Sequence, residues 1–115
     1  MQHLVFVYGT LRENESNHHF VGQGQFLGHH ETLPEYALYD LGAYPAVIEG
    51  HQVIFGEVYL VNDAMLAELD KLEDVPVEYR RELIPTPFGE AWIYLYQDAS
   101  QLDVIIASGD WCQRV

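Results

Sequence analysis

The run His3-Leu4-Val5-Phe6-Val7-Tyr8 is apolar on both faces of an extended strand. Leu4, Phe6 and Tyr8 take one face, and Val5 and Val7 take the other, because side chains alternate along a strand. A strand of this kind is central to a sheet and covered on both sides. Gly9 ends it, and a polar stretch follows from Arg12 to Asn17. Further strands are expected over Gln25–Leu33, Tyr36–Tyr39, Ala46–Glu49 and Val53–Val61. Tyr79–Thr86 and Glu90–Gln97 read as a hairpin joined around Pro87-Phe88-Gly89.

One segment has helical spacing. Met65, Leu66, Leu69 and Leu72 fall at i, i+1, i+4 and i+7. Asn62 or Asp63 can cap its start, and Pro76 limits its end. A second short helix around Asn17–Gly22 is weaker. Many strands with one good helix predict an α+β domain built around a curled sheet or barrel. At 115 residues the chain has room for one core, so residues 1–115 are expected to form one domain.

Charge and length exclude several partners. Five basic against 18 acidic residues leave a net charge of −13, and protonating all six histidines would raise it only to −7. A phosphate backbone or an anionic bilayer would be repelled, so neither nucleic acid nor membrane is an expected partner. The longest apolar run, Ala91 to Tyr96, is too short to span a bilayer. The N-terminus lacks a basic region, and its run from Leu4 to Tyr8 is too short for a signal peptide. Cys112 is the single cysteine, so no internal disulfide forms, which suits a reducing cytoplasm.

Two features could carry chemistry. With a helix advancing about 100° per residue, Glu73 lies roughly 50° from the centre of the apolar stripe, while Asp70, Glu68 and Lys71 lie about 90° to 150° away. Glu73 is then an inward carboxylate whose pKa burial would raise, as a general acid/base at neutral pH requires. If the helix frays by Leu72, Glu73 faces water instead. Glu57 is a rival base, since it shares a strand face with Phe55 and Tyr59. The second feature is Tyr8-Gly9-Thr10-Leu11-Arg12, a glycine turn after a buried strand. Its successive N–H groups could hold a carboxylate or oxyanion, or it could be an ordinary turn. Of the bases Arg12, Lys71, Arg80, Arg81 and Arg114, one could hold a substrate carboxylate, or each could offset neighbouring acids. The paired histidines point to opposite strand faces, and no metal-binding, nucleotide-binding or serine-nucleophile motif is present, so no metal and no cofactor are expected. Trp92, Tyr94 and Tyr96 line one face of their strand, as packing or as an interaction surface.

Phe6-Val7-Tyr8-Gly9-Thr10-Leu11-Arg12 resembles the signature loop of the gamma-glutamylcyclotransferase-like superfamily. Gly56-Glu57-Val58-Tyr59, Leu69-Asp70-Lys71-Leu72-Glu73 and Tyr79-Arg80-Arg81 follow in that family's order. Leu41-Gly42-Ala43-Tyr44-Pro45 and Ser108-Gly109-Asp110-Trp111 are similar to its small bacterial, YtfP-type members. The resemblance implies a mixed β-barrel of about six to seven strands with one or two flanking helices. It implies an enzyme that cyclises a γ-glutamyl amine or γ-glutamyl amino acid to 5-oxoproline, releasing the amine. It places Glu73 at the catalytic acid/base position and Tyr8, Gly9, Thr10, Leu11, Tyr44 and Tyr79 at the substrate. No cofactor is implied, and a monomer or weak dimer in the cytoplasm is expected. The alternative is a non-catalytic module that binds a γ-glutamyl-like or other small carboxylate.

Overall fold

Each of the expected strands forms in the computed structural model, which describes residues 1–113. They are β1 (Gln2–Val7), β2 (Gln25–Glu31), β3 (Tyr36–Asp40), β4 (Pro45–Glu49), β5 (Phe55–Asn62), β6 (Tyr79–Thr86) and β7 (Gly89–Tyr96), with one helix, α1 (Asp63–Leu72), between β5 and β6. The weaker helical segment is a single 3-10 turn at His18–Phe20. Arg114 lies outside the described residues.

Five strands make a mixed sheet in the order β2-β5-β1-β7-β6, and β3 and β4 pair as a separate hairpin. β1 is antiparallel to β5 and parallel to β7. The expected closed barrel is corrected by this arrangement. Among the described residues, β2 and β6 end the five-stranded sheet and share no hydrogen-bond ladder. β2 shifts register between Phe26 and Gly28. The ring of Phe88, from the β6–β7 turn, packs against Gly28, so a side chain fills the space there.

The double-sided character of β1 is met by a layer on each face. Phe6, Val58, Ala91, Ile93 and Leu95 pack with Leu38 and Val47 of the β3–β4 hairpin. Val5, Val7, Tyr59 and Tyr94 pack with Leu66 and Leu69 of α1 on the other face. Tyr94 is buried there with Trp92 and Tyr96 packed beside it, so this aromatic face is core packing.

Helix α1 starts directly at the end of β5, where Asn62 Oδ1 accepts the Met65 N–H at 2.8 Å. Asp63 there meets the N-terminal ammonium at 3.2 Å and the His3 ring at 2.6 Å. The helix therefore begins beside the start of β1. Its ten residues advance about 15 Å, close to the roughly 17 Å that β1 covers from Gln2 to Val7. The two elements consequently finish together, which brings Glu73 to the loop that follows β1.

The inward face of α1 differs from the expected stripe. Leu72 is 37% exposed, whereas Leu66 and Leu69 are buried. Asp70 turns toward the sheet, where it meets Arg81 and Tyr94. The face is Leu66, Leu69, Asp70 and Glu73, which lie within about 100° of one another at helical spacing. Glu73 sits near its centre, closer than the roughly 50° obtained by counting Leu72.

Candidate active site

Tyr8 to Leu11 leave the sheet as a loop held by its own carbonyls. Gly9 O accepts the Arg12 N–H at 3.0 Å, and Thr10 O accepts the Asn17 N–H at 2.8 Å. The Asn17 side chain donates to Thr10 Oγ1, and the His18 ring nitrogen bonds Leu11 O. Gly9 is required by a neighbour. A Cβ there would stand 2.7 Å from Pro45 Cδ and closer to Pro45 Cγ. The sequence reading reserved this space for a ligand, and the β4 proline occupies it. Gly9→Ala must push loop and hairpin apart, and a destabilisation of about 1–3 kcal/mol is expected in urea unfolding.

The loop, Pro45, Glu73 and Tyr94, with Phe6 and Val7, enclose a cavity of about 20 Å³, room for roughly one water. Glu73 caps the last turn of α1, its N–H bonded to Leu69 O at 2.9 Å. Burial, reinforced by the Glu78 carboxylate, pushes its pKa up to about 7. At neutral pH this carboxyl exchanges a proton readily, so it can act as either acid or base.

Neighbouring side chains fix the walls. The Tyr8 hydroxyl donates to Tyr94 O at 2.6 Å, and the Tyr94 hydroxyl donates to Asp70 Oδ1 at 2.8 Å. Arg81 holds both oxygens of Asp70, at 2.9 and 3.2 Å, and stacks over Trp92. This chain fastens the end of α1 to β7. Tyr79 is buried and donates to Pro45 O at 2.7 Å. Tyr44 is partly exposed and donates to Glu78 Oε1 at 2.7 Å. That bond to Glu78, with burial behind it, pushes the Tyr44 phenol up to about 12. Of the residues singled out from sequence, Tyr8, Gly9, Thr10, Leu11 and Glu73 line the cavity. Tyr79 and Tyr44 do not line it: Tyr79 bonds the carbonyl of the lining Pro45, and Tyr44 bonds Glu78 at the surface.

Glu57, the rival base, is placed elsewhere. It is 3% exposed. Its carboxylate accepts from Arg12 Nε at 2.8 Å, the Glu13 N–H at 2.9 Å and the Tyr59 hydroxyl at 2.9 Å. Arg12 also donates to Asp110 at 2.6 Å, so it is a structural cation and not a free anchor for a ligand. Lys71 pairs with Glu68, Arg80 with Glu82 and Arg81 with Asp70. The sequence reading gave no site role to Pro45, Asp70, Tyr94 or Glu78. Helical spacing admits Asp70 to the face of Leu66, Leu69 and Glu73, at i, i+3, i+4 and i+7, but does not choose it over Leu72.

Residues 5–113 match the family model described as gamma-glutamyl cyclotransferase, AIG2-like. The chain belongs to this family. A Vibrio cholerae relative is 68% identical over 115 residues, covering all of both chains. The Escherichia coli K12 gamma-glutamylcyclotransferase family protein YtfP is 44% identical over 110 residues, 96% of each chain. The solution NMR structure of Escherichia coli ytfP superposes with a TM-score of 0.78 at 45% identity, covering 96% of this chain and 97% of that one. A crystal structure of an uncharacterised Pyrococcus horikoshii protein reaches a TM-score of 0.84 at 27% identity, covering 95% and 89%. The two solved structures share the overall fold of this chain. No helix among the described residues is long and apolar enough to cross a membrane.

Proposed function

We propose that this protein is a γ-glutamyl cyclotransferase that converts a small γ-glutamyl amine or γ-glutamyl amino acid to 5-oxoproline, with Glu73 as general acid/base. The observation that carries the reading is one cavity holding a carboxyl of near-neutral pKa against the Tyr8–Leu11 loop. The nucleophile is the substrate's own α-amine, so the chain needs no activated serine or cysteine. Glu73 takes a proton from the α-ammonium. The freed amine attacks the γ-carbonyl carbon and forms the ring C–N bond. The amide C–N bond then breaks as Glu73 returns the proton to the departing amine, and the ring nitrogen gives up its second proton, so the products are the lactam N–H and an ammonium. The loop N–H groups stabilise the oxyanion between these steps. Holding the glutamyl chain folded supplies several kcal/mol by orientation alone. Tyr44 and Tyr79 hold the outer wall against the substrate. A single cysteine suits a reducing compartment, and we place the reaction in the cytoplasm.

The test is release of 5-oxoproline from γ-glutamyl amines and γ-glutamyl amino acids, followed by chromatography. Product is expected from at least one class. Ligands that bind without yielding product, at high protein concentration and long times, would assign the fold to a binding module instead.

A further inference from the structure

Two consecutive residues of the β3–β4 turn are clasped by two consecutive residues entering β6. The Tyr44 hydroxyl donates to Glu78 at the surface, and the Tyr79 hydroxyl donates to Pro45 O in the interior. Pro45 in turn presses on Gly9. The turn from Asp74 to Glu78 is closed by the Val77 and Glu78 N–H groups on Asp74 O, both at 2.9 Å, and Gln97 donates its backbone N–H to Glu78 O at 3.0 Å. Glu78 is thereby held at a defined point on the outer wall, and its charge is felt at Glu73, Tyr44 and Tyr79 alike.

The cavity lined by Pro45 and Glu73 accommodates about one water, less than a γ-glutamyl amide needs; the exposed Tyr44–Glu78 contact adjoins Pro45, and the Glu78 carboxylate acts on Glu73, so the departing amine would lie there. That wall is negatively charged and has no spare cation. The four described bases Arg12, Lys71, Arg80 and Arg81 all face carboxylates already. A leaving group ending in a carboxylate meets Glu78 with nothing to neutralise it. One ending in an ammonium replaces the Tyr44 hydroxyl as Glu78's partner.

Resting on the cyclotransferase reading, we propose that Glu78 is a specificity-determining residue that selects γ-glutamyl amides whose leaving amine carries a second, cationic amino group. Three mono-γ-glutamyl amides of matched length separate the charge from the shape: those of 1,4-diaminobutane, pentylamine and 4-aminobutanoate. The ratio of kcat/KM is read, because any change at Glu73 is common to all three and cancels. The diaminobutane amide is expected to exceed the pentylamine amide by about fivefold at low salt, the size of one exposed charge pair, and the butanoate amide to fall below both. Glu78→Gln, which can still accept from Tyr44, is expected to bring the ratios to about one. Tyr44→Phe leaves the Glu78 charge in place and is expected to keep the preference.

Calorimetric binding of the same amides to Glu73→Gln separates the two ideas. Binding in this charge order without product in the parent protein removes the cyclotransferase reading and keeps the role of Glu78. Product formed with no charge order, or an order indifferent to Glu78→Gln, overturns the role of Glu78 and keeps the enzyme. Neither binding nor product from the three amides overturns both.

Discussion

Glu73→Gln is expected to lower kcat for 5-oxoproline release by about 10²–10⁴-fold while the protein stays folded. Glutamine keeps the size and one acceptor of the side chain but cannot carry the proton between the two amines. The same substitution leaves a signature in stability that needs no substrate. Burial holds the Glu73 carboxyl at a pKa of about 7 in the folded chain, against an ordinary value of 4.5. The folded state therefore binds this proton more tightly than the unfolded state. Wild-type stability carries this contribution in full below pH 4.5 and loses it as pH rises toward 7. Glutamine removes the dependence. Above pH 7 the variant is expected to gain on the parent by up to about 3 kcal/mol relative to their difference at pH 4. Urea unfolding at pH 4 and pH 8 reads the gap. A gap that does not change between the two pH values places Glu73 in solvent and withdraws it as the acid/base. Activity and stability then report on one proton from opposite directions. The burial that raises the Glu73 pKa is what costs the fold once the carboxyl ionises.

Arg12→Met should produce the largest loss of stability, about 3–5 kcal/mol. The methionine stem replaces the apolar part of the arginine. Glu57 is then left buried with the Glu13 N–H and the Tyr59 hydroxyl but no counter-charge. Asp110, on the other side of the guanidinium, is partly exposed and can hydrate. The unpaired Glu57 therefore dominates the cost. For a chain of this length the loss amounts to a fall of about 15 °C in Tm, measurable by calorimetry. A fall of only a few degrees would mean that water reaches Glu57 in the variant. The contrast with Glu73 is instructive. Both are carboxylates on apolar faces, but Glu57 has three donors, one of them a cation, while Glu73 has burial and a neighbouring anion. The first arrangement stabilises charge and holds the loop after β1 to β5. The second stores a mobile proton.

Much of this protein was legible in order of residues. Period-two alternation located β1, β5 and β7, because each buries side chains in the core, and the apolar second face of β1 announced a layer on both sides. Asn62 and the Leu66–Leu69 spacing located the helix, since capping and amphipathicity are local properties. The Tyr8–Leu11 loop and Glu73 were legible as separate features, and the family resemblance joined them.

Three things were decided only by tertiary structure. The sheet stays open because a side chain, Phe88, and not a strand meets Gly28; pairing between distant edges depends on twist and register that no local pattern carries. Leu72 faces outward and Asp70 inward because Arg81 and Tyr94 on β6 and β7 satisfy the Asp70 carboxylate, which would otherwise be costly to turn toward the sheet. Glu57 and Glu73, indistinguishable as inward carboxylates in the sequence, parted company once Arg12 was folded onto one and the cavity onto the other. Alternation and helical spacing state which face a residue takes. Which partner waits on that face is set by residues tens of positions away, and for a carboxylate the partner decides whether it holds a charge or a proton.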